Sequence, residues 1–326
     1  MSATTLTADD GLAMRGIIER YGTAIAGLAL ILFFVIFAPN FANPVNLLNV
    51  ARDTTFLAIM ALGFALAFTV AELDLSIAEI ASLCAVVGGW MIHAGHNPAL
   101  AVGVVLGLGL LLGVFNGFGV TVLRVPSLIV TLGTAAVARG VAFLITEGVS
   151  FVGRWPVSFT GLARGSSLGI PNLLLWLAAF TAVTWFLLKW TRTGAHMTAT
   201  GEADEVARLA GIATKRMKRI GLALSGLFAG TTGLLLTANL SSAAPNMAGD
   251  YFLYSIAAVL LGMTMFEPGR PNVPGTIFAA LVLKVLGNGL VLLGAAYYFQ
   301  DMVLGMIIIG SVAFSASVMK KAAFKI

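Results

Sequence analysis

A chain of 326 residues with 59% hydrophobic and only 10% charged residues carries more apolar surface than a water-soluble core can bury, and its mean hydropathy is +0.98. In hydrocarbon every backbone polar group must be paired internally, so the expected spanning elements are helices, selected over a barrel by long unbroken apolar runs. The net charge of +5 comes from basic residues beside those runs, not interleaved with aromatics, and a single cysteine, Cys84, excludes an internal disulfide framework or cysteine-rich metal site.

Arg15 and Arg20 precede the first apolar run, which no small-residue cleavage site follows, so it is read as a membrane helix and not a signal peptide. Runs bounded by turn or charge signals predict spans near 22–38, 53–71, 76–93, 98–123, 127–146, 172–190, 217–240, 254–266, 274–294 and 299–318. The run at 254–266 is short for a full crossing, so it is expected to be tilted, broken or re-entrant. With the N-terminus inside, the 19 Lys and Arg residues divide unevenly. Arg52, Arg154 and Arg164 fall outside, Arg139 and Lys284 fall within spans, and all the others fall inside, as cation retention requires. The expected fold is all-α, a polytopic transmembrane bundle of about ten spans with both termini cytoplasmic. It divides into a tail at 1–21, a permease region at 22–318 and a tail at 319–326.

Two polar segments interrupt the short connections. The outer one, 148–171, is rich in Gly and Ser and holds Phe151, Trp155 and Phe159; a position on the membrane surface and contact with a partner both remain open. The inner one, 191–219, concentrates charge. Within it Gly201 precedes the acidic residues Glu202, Asp204 and Glu205, while Arg208 stands near the end and Gly211 follows. Acid first and base last suits a helix dipole, and Val206, Ala207, Leu209 and Ala210 give this short helix an apolar face. A docking element and a plainly solvated loop helix are both compatible with that pattern.

Charged residues inside a bilayer cost about 2.5 to 3.5 kcal/mol at the helix centre, so Lys284 and Arg139 need partners or work. Lys284 and Asn288 lie one turn apart, and either line a route for a hydroxylated solute or pair with a neighbouring helix. Arg139, eight residues before Glu147, reads as structural. Glu72, Asp74 and Glu79 surround a span boundary, where Asp74 is read as a cap for the next helix or as a gating group. Asn116 is either a packing hydrogen bond or a pathway residue. Glycines 109, 113 and 117, and 226 and 230, recur every four residues and predict close helix packing. His93, His96 and His196 lack companions at ligand spacing, so no metal site is expected.

Several ordered motifs carry a family resemblance over roughly residues 45–318. AELDLSIAEIASL from residue 71 resembles a G-I-D-L-S-V-G-S segment, and RVPSLIVTLGTAAVARGVAFLIT from residue 124 resembles R-[IV]-P-[PS]-[FL]-I-[AV]-T-L-G-T with its downstream A-R-G. GEADEVARLAGI from residue 201, LSGLFAGTTGLLLTANLSSAAPN from residue 224 and GNGLVLLGAAYYFQDMVLGMIII from residue 287 follow in family order. Together they are similar to the permease subunits of bacterial ribose-type (monosaccharide) ABC importers, within the branched-chain amino acid and ribose permease superfamily. The resemblance implies alternating-access import of a monosaccharide or related polyol across the bacterial inner membrane. It also implies a second permease chain forming a homodimer or pseudo-dimer, an ABC ATPase subunit binding ATP and Mg, a periplasmic sugar-binding protein, and a lipid environment.

On this likeness Gly201, Glu202, Glu205, Arg208 and Gly211 belong to the element that couples to the ATPase. Asp74, Asn116, Lys284 and Asn288 are candidates for pathway or gating roles, with no catalytic residue and no cofactor on this chain. The chain contains no G-x-x-x-x-G-K-[ST] loop, in keeping with ATP hydrolysis on another polypeptide. Where the family has a glycine-rich G-G-x-G-S-x-x-G-T turn, this chain reads TMFEPGRPNVPGT at 264–276, keeping Gly269, Gly275 and Thr276. A permease for branched-chain amino acids or another small polar solute is the nearest rival. A secondary carrier would need ion-coupling carboxylates at the midplane, where few acids lie, and a membrane enzyme would need converging acid, base or metal groups, which are not visible.

Overall fold

The computed structural model describes the backbone of residues 8–296 and 298–323 and the side chains of residues 21–296, 298–311 and 313. Residues 1–7 and 324–326 of the expected tails, and the side chains of Arg15, Arg20, Lys320, Lys321 and Lys325, lie outside that set. Among the described residues the chain forms α1 (Ala8–Phe37), α2 (Pro44–Thr69), α3 (Ile77–His93), α4 (Pro98–Thr121), α5 (Ser127–Thr146) and β1 (Phe151–Val152). Then come α6 (Val157–Arg164), β2 (Ser166–Ser167), β3 (Ile170–Pro171), α7 (Asn172–Trp190), α8 (Arg192–Glu202), α9 (Asp204–Leu209) and α10 (Thr214–Leu240). The chain closes with β4 (Ser242–Ala243), α11 (Tyr251–Gly262), α12 (Val273–Leu292) and α13 (Tyr298–Ala323).

Each expected span coincides with a helix. Among the described residues six helices are long and apolar enough to cross a membrane: α2, α4, α5, α7, α10 and α12. Apolar stretches in α1, α3, α11 and α13 are shorter. The chain is thus a multi-pass helical membrane protein. α11 has 12 residues, a rise of about 18 Å against a hydrocarbon core of about 30 Å. Two starts differ from expectation. α1 is helical from Ala8, within the expected tail, so the helix begins well before the apolar run that marked it. α2 begins at Pro44 because Asn43 accepts the Val45 N–H at 2.9 Å and Pro44 presets the first turn, so the helix carries Arg52 and Asp53 inside it.

The chain forms two compact units, Met1–Val50 with Ala257–Ile326, and Ala51–Ile256. In the first, α1 packs on α12 around Phe34, Phe41, Val50, Val285 and Leu286. Its 264–276 turn is organised by Asn272, which caps α12 by accepting from the Gly275 N–H at 2.8 Å and donates to the carbonyls of Gly262 and Met265, each at 3.1 Å. The retained Gly269 and Gly275 serve a left-handed φ of +87° and a close approach to the Gly262 backbone.

In the second unit α10 is central, packing chiefly on α4 and α3. The expected glycine contacts are the reason: a Cβ on Gly109 would stand 3.0 Å from the Gly230 Cα, and one on Gly226 would stand 2.8 Å from the Gly113 Cα. The outer segment is folded against this unit. β1 pairs antiparallel with β4, β2 and β3 form a tight hairpin, and Phe159 of α6 is buried with Trp155 against it. The Trp176 indole N–H donates to the Leu162 carbonyl at 3.1 Å, and Asn172 donates to the Gly161 carbonyl at 2.6 Å, closing α7 onto α6.

Candidate functional site

The inner segment folds as two helices. Thr191 caps α8, accepting the Gly194 N–H at 3.1 Å while its hydroxyl donates to the Leu187 carbonyl at 2.7 Å. α8 continues through Gly201 and Glu202, so these two residues end one helix instead of opening the next. The break falls at Ala203, whose extended backbone (φ −157°) precedes α9. Gly201 is a packing glycine, since any side chain there would meet the Thr69 carbonyl at the end of α2. Local turn signals could not reveal this, because the constraint comes from another helix.

α9 ends as expected. Gly211 takes φ +83°, its N–H donates to the Arg208 carbonyl and the Ile212 N–H donates to the Ala207 carbonyl, both at 3.0 Å, the pairing of a Schellman motif. Ala207 is buried, whereas Val206 and Leu209 are 65% and 79% exposed. Glu205 and Arg208 pair with one another at 3.2 Å on the surface. The helix therefore turns two aliphatic side chains and one ion pair outward.

Its first residue is tied inward. The Lys218 Nζ lies 3.0 Å from both Asp204 and Glu72, joining α9, α10 and the stretch after α2. Hydrogen bonding from Thr214, reinforced by Lys218, holds the Asp204 carboxyl below its ordinary range against partial burial. Glu72 is 7% exposed. A cleft of about 450 Å³ beside this link is lined by residues that include Arg124, Asp204, Arg208 and Lys215. Sequence reading counted Lys218 only among the inner cations. Lys218 at the inner edge of the span expected at 217–240, with Glu72 just past the end of the one at 53–71, was the available signal.

Two residues after Glu72 lies Asp74, fully buried. It does not cap α3 as expected. Its Oδ1 accepts from the N–H and hydroxyl of Ser76, which itself occupies the cap position. Asn116 of α4 donates to the Ser76 hydroxyl at 2.8 Å, and Thr134 of α5 donates to Asn116 Oδ1 at 2.6 Å. Asp74 and Asn116 thus belong to one buried chain of polar groups across α3, α4 and α5. On α12, Asn288 exchanges two hydrogen bonds with Asn46 at 2.9 and 3.0 Å, and Lys284 lies half-buried one turn earlier. Asn288 therefore shows the interhelical pairing that was one of its two readings. Arg139 stands over the Phe143 ring at 5.9 Å and faces Glu79 of α3.

The likenesses to known proteins agree with these features. A family model described as "Branched-chain amino acid transport system / permease component" matches residues 46–312. The ribose import permease protein RbsC of Escherichia coli (strain K12) is 34% identical over 289 residues, covering 87% of this chain and 90% of the relative. RbsC of Bacillus subtilis (strain 168) is 32% identical, covering 90% and 92%. The D-allose transport system permease protein AlsC of Escherichia coli (strain K12) is 29% identical, covering 93% of each. The resemblance carried by the motifs is borne out, and the chain belongs to the branched-chain amino acid transport system permease family.

Proposed function

We propose that this chain is the membrane subunit of an ATP-binding-cassette importer that admits a monosaccharide or related polyol by alternating access. The observation that carries the reading is α9. It turns Val206 and Leu209 outward while Asp204 is anchored through Lys218 to Glu72, so a force on the helix reaches the end of α2 through ionic contacts. Relatives named for ribose and D-allose transport support a sugar as the solute.

In this reading an ABC ATPase holding ATP and Mg grips α9 around Glu205, Val206, Arg208 and Leu209, and a periplasmic sugar-binding protein delivers the solute. A second copy of the chain completes the translocation route. The apolar runs support about ten crossings, the distribution of Lys and Arg supports both termini in the cytoplasm, and the likeness to bacterial sugar permeases supports residence in a bacterial inner membrane. Gly201, Glu202 and Gly211 shape the coupling segment. Asp74 and Asn116 act as an internal brace beside it, and Lys284 with Asn288 brace or line the route in the other unit. The description of the matching family favours a second reading, an amino acid as the solute.

The test is uptake of labelled ribose, allose and leucine into vesicles holding this chain, its ATPase and its binding protein. ATP-dependent sugar uptake that disappears in Leu209→Glu, while the variant still reaches the membrane, supports the proposal. Uptake that needs no ATP overturns the importer reading, and uptake of leucine alone overturns the sugar.

A further inference from the structure

Residues 70–76, between α2 and α3, hold two buried carboxyls with opposite surroundings. Glu72 meets the Lys218 ammonium. Asp74, fully buried, meets no cation among the described residues; its Oδ1 is satisfied by Ser76, and its Oδ2 has no hydrogen-bond partner. The hydroxyl of Ser225, one of its polar neighbours, is fully buried on α10 and is also without a partner. Two open hydrogen-bonding positions therefore lie side by side in the interior, one on a carboxyl and one on a hydroxyl.

An unpaired carboxylate in such a place costs several kcal/mol, and the group escapes by binding a proton. The surrounding elements offer no compensating charge. α4 contributes Asn116 and carries no ionisable residue. The one cation of α5, Arg139, faces Glu79 of α3. The cations of α10 lie in its first two turns, where Lys218 is held by Glu72 and Asp204, and Ser225 follows Lys218 by about 10 Å along the helix axis.

We propose that Asp74 carries a proton at neutral pH and donates it in a hydrogen bond from Oδ2 to the Ser225 hydroxyl, a neutral acid cross-linking the α2–α3 junction to α10. The Ser225 hydroxyl donating to an ionised Asp74 would join the same two groups but leave a buried charge with no counter-ion; the neutral acid joins them without one. Oδ1 continues to accept from Ser76, so the chain of polar groups reaching Asn116 and Thr134 is complete without any buried charge.

Infrared spectroscopy of the purified chain in lipid nanodiscs tests this without its transport partners, so its outcome is separable from the transported solute. A protonated-carboxyl stretch is expected at pH 7, sensitive to deuterium exchange, absent in Asp74→Asn and shifted to higher frequency in Ser225→Ala. Asp74→Asn, a neutral isostere, is expected to keep the wild-type melting temperature. The absence of that stretch, or a stretch that ignores both substitutions, overturns the proposal. A wild-type melting temperature that rises with sodium or potassium, an effect lost in the Asn variant, also overturns it and assigns the position to a bound cation. Should Asp74→Asn fail to fold, the Ser225→Ala shift still decides.

Discussion

The two long polar segments of the second unit solve opposite problems with similar material. The outer one turns Trp155 and Phe159 inward, pairs a strand with Ser242–Ala243 and offers the Gly161 and Leu162 carbonyls to Asn172 and Trp176 of α7. The inner one buries only Ala207 of α9 and leaves Val206 and Leu209 in the open. The outer segment commits its aromatic residues Trp155 and Phe159 to its own packing, while its aliphatic Val157 and Leu168 stay 83% and 98% exposed. The inner segment buries Met197 and Met217 in its other helices, whereas α9 spends only a small residue on packing and keeps its two larger ones outside beside an ion pair, which shapes it for contact.

Substitutions that remove side chains from each segment sharpen this contrast. Phe159→Ala on the outer segment has the largest expected effect, a loss of about 3–5 kcal/mol from the cavity it leaves, seen as a lower melting temperature. Lys218→Met, at the root of the inner segment, strands Glu72 in a buried place and is expected to cost about 1–3 kcal/mol, with ATP-driven uptake falling alongside. Leu209→Glu is expected to stay within about 0.5 kcal/mol of wild type in stability while abolishing uptake, because the residue touches little of its own chain. A large stability loss at Leu209 would erase the contrast.

The smallest expected effect is that of pH on the Asp204–Lys218 link. The folded state holds the Asp204 carboxyl below its ordinary value of 3.8, so its contribution is fully present above that pH and is lost only as pH falls through the lowered value. The melting-temperature difference between wild type and Asp204→Asn should therefore be flat from neutrality to about pH 5 and shrink only in stronger acid.

Much of this architecture was readable in advance because hydrocarbon imposes a simple rule on sequence. Every expected span became a helix, and the glycines at 109, 113, 226 and 230 met as their spacing foretold. The misreadings share a cause. Arg52 and Asp53 hid the first two turns of α2 because hydropathy stops at charge while a capped backbone does not. Gly201 looked like a helix start because its true constraint, the Thr69 carbonyl, is far away in sequence. Asn272 escaped notice because the carbonyl of Gly262 that it bonds lies on the preceding helix and reaches it only in the folded turn. The candidate site was legible as a segment, through its charge order and its terminal Gly211. Its anchorage was not, because Lys218 and Glu72 are brought together only by the fold.

The brevity of α9 bears on the design of a competitor for the docking proposed for it. Six residues fall well short of the roughly 12–15 that a helix needs to persist alone in water. A free peptide copying residues 203–212 would therefore spend most of its time unfolded and compete weakly for the ATPase partner proposed above. The permease lends this helix its shape through Lys218 and the glycine-terminated turn, so an inhibitor drawn from it needs a covalent brace in their place.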